Sequence, residues 1–256
     1  MKIITVGARK GGVGKTTFTY LEATYLVQKL NKRVLLIDGD PQASLSDCFF
    51  DIDQDNLLGE LFNGNKNINE IIKNTSIKNL DIITSNILLD DFNQLLVSKP
   101  AREKILFNNL KYHYEYLQEN YDYILIDTNP SLSLINQNLM AIANDIVIIS
   151  DRSKFSLKGI ITLGNAWKSI CEALEIPFNM NTIILNKIGD KATSRDFVEI
   201  VNKSFSEQVL KTYIKEYAII EKSVISKKTI VDLKRLEKLG NPIKKINDEL
   251  ITKGVI

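Results

Sequence analysis

The sequence is short of the residues on which many catalytic and metal sites depend. Its 256 residues include one histidine, His113, and two cysteines, Cys48 and Cys171. One histidine excludes chemistry that needs two and argues against a Ser-His-Asp site. His113 lies in Lys111-Tyr112-His113-Tyr114 and reads as an ordinary polar residue. The cysteines stand far apart without metal-ligand spacing, so they read as two thiols. No apolar run approaches the ~18 residues of a membrane span. No Pro/Gly/Ser-rich linker or internal repeat divides the chain, so residues 1–256 are expected to form a single domain. No secretory h-region follows Met1, because Met1-Lys2-Ile3-Ile4-Thr5-Val6-Gly7 enters a folded pattern at once. That predicts a cytoplasmic protein.

What is present is ordinary in amount and uneven in placement. Hydrophobic residues make up 44% and charged residues 25%, with a net charge of +2. That is the composition of a globular chain with enough apolar residues for a core. Residues 51–100 carry eight acids against four bases, whereas residues 201–256 carry twelve bases against seven acids. The C-terminal excess suits an anionic partner.

Apolar runs alternate with helical patterns. Ile3–Gly7, Arg33–Asp38, Leu80–Thr84, Tyr123–Asp127, Asp145–Ser150 and Thr182–Asn186 read as strands. Residues 15–30, 101–118 and Leu157–Leu174 read as helices, and the remainder as mostly helical. The Asn-rich stretch 63–79 reads as a surface excursion or a compositional bias. Continuous apolar strands between helices predict an α/β fold with a mostly parallel twisted sheet and helices on both faces.

The strongest local signal is Lys10-Gly11-Gly12-Val13-Gly14-Lys15-Thr16-Thr17, placed after a strand and opening a helix. Glycines let the backbone turn and aim successive N–H groups at phosphate oxygens. The helix adds its positive end. Lys15 supplies charge for the β- and γ-phosphates, and the Thr16 hydroxyl is a Mg²⁺ ligand candidate. Two further segments end apolar strands in carboxylates: Ile37-Asp38-Gly39-Asp40-Pro41-Gln42 and Ile124-Leu125-Ile126-Asp127-Thr128-Asn129-Pro130. Strand ends of this kind border the ligand crevice in a parallel sheet.

The loop departs from the usual P-loop pattern. Arg9 stands where the first glycine would be, and a second lysine, Lys10, precedes the glycine pair. This form resembles the deviant Walker A motif of the ParA/MinD family of P-loop ATPases. The resemblance covers roughly residues 2 to 230 and is most specific in the first 45. It implies ATP and Mg²⁺ as ligands, with Lys10 to Thr17 binding ATP. It also implies that Lys10 acts across a homodimer on the other subunit's nucleotide, as an arginine finger does. By the same resemblance Asp40 activates the attacking water, Asp38 and Asp127 support Mg²⁺ through water, and Thr128-Asn129-Pro130 forms a switch loop. Ser156-Leu157-Lys158-Gly159 would begin a dimer-facing helix, and Asn186 would lie near the adenine. Asn186-Lys187-Ile188-Gly189-Asp190 also looks like the N-K-x-D guanine-reading motif, but its acid falls one position late.

Within the family the chain is most similar to short ParA-type, Soj-like DNA-partition ATPases. Asp40-Pro41-Gln42 and the basic C-terminal part favour that branch, and no DNA-reading domain precedes the first strand. The branch implies non-specific DNA binding by the ATP dimer, release by a ParB-type centromere-binding partner, and a cytoplasmic, nucleoid-associated location. Lys211, Lys215, Lys222, Lys227 and Lys228 are the candidate phosphate contacts. A MinD-type membrane ATPase is the alternative. It needs a bulky apolar anchor, whereas Lys244–Lys253 has aliphatic residues, two acids and no Trp or Phe, and reads as a packed helix. A metabolic relative, such as an iron–sulfur reductase or a ligase, is a third reading. The cysteine spacing does not suit a cluster.

Overall fold

The computed structural model describes residues 1–51, 55, 57–153, 156–179, 181–216 and 241–256. Among them seven strands form one sheet: β1 (Lys2–Gly7), β2 (Val34–Gly39), β3 (Lys73–Asn74), β4 (Leu80–Ile83), β5 (Tyr123–Thr128), β6 (Asp145–Ser150) and β7 (Thr182–Leu185). Their order is β3-β4-β2-β5-β1-β6-β7, parallel except for the β3–β4 pair. From β1 the chain builds outward to one side through β2 and β4, then returns through β5 and crosses to β6 and β7 on the other. The strand ends beside β1 therefore border the crevice where such sheets hold ligands.

Strand side chains alternate between the two faces. Ile4, Val6, Leu36 and Leu125 enter a cluster with Phe18, Leu21 and Leu26 of α1 (Lys15–Leu30) and with Ile243, Ile246 and Leu250 of α10 (Pro242–Thr252). Ile3, Leu35, Ile37, Ile124 and Ile126 face the other way. They pack with α2 (Leu57–Asn63), α3 (Ile68–Ile71), α4 (Leu89–Val97), α5 (Ile105–Leu110), α6 (Tyr114–Asn120) and α7 (Leu134–Ala141). A third cluster joins β6 and β7 to α8 (Ser156–Leu174) and α9 (Ala192–Ser204) around the buried Trp167. The 244–253 segment is thus part of a packed helix: Ile246 and Leu250 are buried while Lys244 and Lys245 point outward. No helix among the described residues is long and apolar enough to cross a membrane, and Cys48 and Cys171 form no disulfide.

Three segments differ from the expectations. The Asn-rich stretch 63–79 is ordered and feeds the core: Asn67 and Glu70 form a capping box on α3, and Ile68, Ile71 and Ile77 are buried. The 101–118 helix is broken. Ala101 adopts φ 49°, so α5 starts at Ile105, and the 3₁₀ turn Lys111–His113 separates it from α6. Residues 205–216 are not helical. They run beside β7, with Ile214 N donating to Leu185 O at 2.8 Å and Ile188 N to Ile214 O at 3.1 Å. Buried Val209, Leu210 and Ile214 anchor that path, so apolar burial there overrides the helical pattern.

Candidate active site

The loop between β1 and α1 carries its chain through left-handed backbone at Gly12 (φ 74°) and Gly14 (φ 94°). Gly14 caps α1, and a Cβ there would lie 2.3 Å from the Asn186 amide nitrogen. Both the conformation and the close approach require glycine. The loop opens on a cavity of about 520 Å³ lined by Gly11, Gly12, Gly14, Lys15, Thr16 and Thr17, with Asp40 and Asn186 on its walls. Lys15 is only 7% exposed, so its stem is buried at the head of α1. The free N–H groups of the first turn of α1 add partial positive charge at the same point.

Two carboxylates lie behind this rim. Asp38 and Asp127 are register partners at the ends of β2 and β5, and both are fully buried. Asp127 Oδ2 accepts from the Thr16 hydroxyl at 2.5 Å, while its Oδ1 is buried without a hydrogen-bond partner among the described residues. Burial, then the neighbouring Asp38, push the Asp127 carboxyl up to about 8. Asp38 is spent within the chain: Oδ2 accepts from the Ser46 amide at 2.8 Å and hydroxyl at 2.7 Å, and Oδ1 from the Asp40 amide at 3.2 Å. Burial raises it to about 6 against those bonds. Between Asp38 and Asp40 the chain carries Gly39, where a Cβ would meet Leu139 at 2.4 Å and the Asp127 carbonyl oxygen at 2.6 Å. Asp40 is carried past the strand end onto the cavity wall, where its carboxylate accepts from Gln42 N at 3.0 Å and its carbonyl from Ser85 Oγ at 2.7 Å.

The segment after β5 is tied down by Asn136 of α7, whose amide donates to the Asn129 and Ser131 carbonyl oxygens at 3.0 and 2.8 Å. Arg9 bridges from the phosphate loop to the Pro130 carbonyl oxygen at 3.2 Å. Val13 is buried, and Asn186 supports it by donating to the Val13 carbonyl oxygen at 2.8 Å. Asn186 borders the cavity beside Lys187 and Ile214.

Lys10 stands apart from this group. Its ammonium lies 2.6 Å from Asp151 Oδ2, and it does not line the main cavity. Among the basic candidates, Lys211 is exposed, and Lys215 pairs with Asp190 at 2.6 Å. Lys222, Lys227 and Lys228 lie outside the described residues. Sequence reasoning missed Ser46, Asn136 and Asp151. For Asp151 a signal existed, since it follows a strand end as Asp38, Asp40 and Asp127 do.

A glycine loop between a central parallel strand and a helix, with lysine and threonine at the helix start and acids on adjacent strand ends, defines a P-loop nucleotide-binding protein. A family model described as an AAA domain matches residues 1–181. The sporulation initiation inhibitor protein Soj of Bacillus subtilis is 32% identical over 225 residues, covering 83% of each chain. A virulence plasmid ParA family protein of Chlamydia psittaci is 26% identical over 234 residues, 91% of this chain and 87% of the relative. Among solved structures, apo McdA from Cyanothece superposes with a TM-score of 0.84 at 20% identity, covering 98% of this chain and 99% of that one. A Borrelia burgdorferi chain described as a plasmid partition protein, bound to AMPPNP, gives 0.77 at 25% identity, with 97% and 99% covered. The chain belongs to the ParA family of P-loop ATPases.

Proposed function

We propose that the protein is a partition ATPase whose nucleotide state controls its residence on DNA. The observation that carries this reading is that Lys15, Thr16 and Asp40 line one cavity, with Asp127 bonded to Thr16 just behind its rim. In this reading ATP occupies the cavity of about 520 Å³, with its phosphates against the loop amides and Lys15 and its base toward Asn186 and Ile214, all of which line it or its rim. Asp40 is the one acid of the set that borders the cavity, which suits it to orient the attacking water.

Mg²⁺ fits the donors present. A buried, unpartnered Asp127 Oδ1 beside the Thr16 hydroxyl favours a cation. Thr16 would ligate it directly and Asp127 would support it through water, whereas Asp38, expected from the sequence to share that role, has both oxygens engaged by Ser46 and Asp40. Among the described residues no three acidic, His or Cys side chains form a cation cage. The remaining ligands would be phosphate and water oxygens. The ion supplies charge neutralisation at the β- and γ-phosphates.

In this reading ATP brings two copies face to face, Lys10 of each serves the partner's nucleotide, and the dimer holds DNA non-specifically through lysines such as Lys211. A ParB-type partner stimulates hydrolysis and release. The Bacillus and Chlamydia relatives and the Borrelia structure support this branch. The burial of Ile246 and Leu250 in α10 speaks against a MinD-type anchor at the 244–253 segment.

The test is binding to a long duplex of arbitrary sequence with ATP, with ADP and with neither, over a salt series. The expected result is ATP-dependent, salt-sensitive binding that persists in Asp40→Ala. ATP-driven dimerisation without DNA binding in any state overturns the partition reading.

A further inference from the structure

Lys10 belongs to a different part of the molecule from the rest of its loop. It lines a second cavity of about 290 Å³, beside Ser150, Ser156 and Ile160, and among the described residues that cavity shares no lining residue with the nucleotide cavity. Its ammonium lies 2.6 Å from Asp151 Oδ2. Asp151 is built to receive it. The other oxygen, Oδ1, accepts from the Ser156 hydroxyl at 2.7 Å and the Ser153 amide at 3.1 Å, and the two serine hydroxyls lie 2.9 Å apart. Burial raises this carboxyl, but the hydrogen bonds from Lys10, Ser156 and Ser153 outweigh it and hold it down at about 2. Asp151 is therefore ionised at neutral pH in the pair, and Ser153 and Ser156 donate to the oxygen that Lys10 does not touch. The Lys10 side chain is half exposed, against 14% for Asp151, so the lysine is the solvent-facing member of the pair.

We propose that Asp151 is a positioning residue that holds Lys10 in cis in the resting chain, so that Lys10 leaves this carboxylate before it serves a nucleotide held by a second copy. The inference rests on the proposed role of Lys10 across the dimer. A triphosphate offers more negative charge than one carboxylate, so ATP from the partner can win Lys10 from Asp151 where a diphosphate wins it less well. The cis pair thus sets a threshold for nucleotide-driven dimerisation. The serines on Asp151 keep its carboxylate solvated after the exchange, which limits the cost of breaking the pair.

The experiment measures the ATP concentration for half-maximal dimerisation of the full chain carrying Asp40→Ala, which suppresses turnover. Adding Asp151→Asn is expected to lower that concentration about two- to fivefold, the weight of one partly exposed ion pair. Asp151→Glu is expected to return it toward the parent value. In nucleotide-free protein, Asp151→Asn is also expected to speed amine-reagent labelling of Lys10, read by mass spectrometry, by a similar factor. Unchanged labelling together with unchanged or weaker dimerisation overturns the proposal. Lys10→Ala in the same assay separates two failures. If it dimerises with ATP as the parent does, the trans role of Lys10 fails. If it does not dimerise while Asp151→Asn leaves the ATP requirement unchanged, only the cis hold fails.

Discussion

Asp38 and Asp127 are direct register partners on β2 and β5, both fully buried, and among the described residues no lysine or arginine is bonded to either carboxylate. Burial leaves both carboxylates poorly solvated, and a like charge adds to it, Asp38 acting on Asp127 and Asp40 on Asp38, which is why both carboxyls stand above their ordinary range. The chain meets the cost in two different ways. Asp38 is saturated with donors from Ser46 and Asp40, whereas Asp127 keeps one oxygen unpartnered next to Thr16. The first arrangement fixes the loop that carries Asp40. The second leaves a place for a cation or its water at the phosphate rim.

Ser46 is therefore expected to matter more than a serine eight residues from the motif suggests. Ser46→Ala removes the hydroxyl donor to Asp38 while leaving the amide donor. Losing a hydrogen bond to a buried carboxyl is expected to cost about 1–3 kcal/mol. Urea denaturation compares the variant with the parent chain.

Gly39→Ala places a methyl group against Leu139 and the Asp127 carbonyl oxygen. The side chain of Leu139 can move, but the β5 backbone cannot without disturbing the Asp38–Asp127 register. A loss of about 1–3 kcal/mol in stability is expected from this overpacking. ATP turnover is expected to fall more than ATP affinity, since Asp40 is displaced while the phosphate loop is not. Equilibrium nucleotide binding and steady-state turnover, measured side by side, separate the two effects.

Glu22 on α1 supplies a pH dependence away from the phosphates. It is buried against α10, where Asn247 donates to its Oε2 at 3.0 Å, and its Oε1 has no partner among the described residues. Tyr25 on α1 and Tyr123 on β5 lie within electrostatic reach, and Asp248, Lys244 and Lys29 surround Tyr25. Burial raises the Glu22 carboxyl from 4.5 to about 8, against the Asn247 bond. The raised value means that the proton stabilises the native state. The contribution is full below pH 4.5 and is lost as pH rises through about 8. Unfolding free energy is expected to fall by up to about 1.4 kcal/mol per pH unit in that window. Glu22→Gln is expected to flatten the profile while keeping α10 in place. Denaturation at a series of pH values, with parent and variant compared at each, checks this. An equal slope in both would remove Glu22 as its source.

The central frame of the molecule is legible in its sequence because it rests on local rules. Uninterrupted apolar runs place β1, β2, β5 and β6, and Gly14 followed by Lys15 opens α1, which spans Lys15–Leu30 as the 15–30 pattern predicts. What escapes is non-local. Ser46 matters only because the chain folds back onto Asp38, and Asn136 only because α7 packs under Asn129 and Ser131. Residues 205–216 fall in the remainder that reads as mostly helical, yet they lie along β7 because Val209, Leu210 and Ile214 complete a buried layer there. The lysines face a similar limit. Sequence counts Lys215 as an anion contact, and only the fold brings Asp190 within 2.6 Å of it.

The claim that each site is completed by a second copy is tested most directly by mixing two inactive chains. Lys10→Ala retains Lys15 and can hold ATP but lacks the lysine proposed to serve its partner. Lys15→Ala retains Lys10 but has lost its phosphate-binding charge. Their heterodimer contains one complete site, so ATP turnover is expected to recover in the mixture although neither chain alone supports it. Turnover that stays at background, in heterodimers demonstrated to form with ATP, contradicts the account.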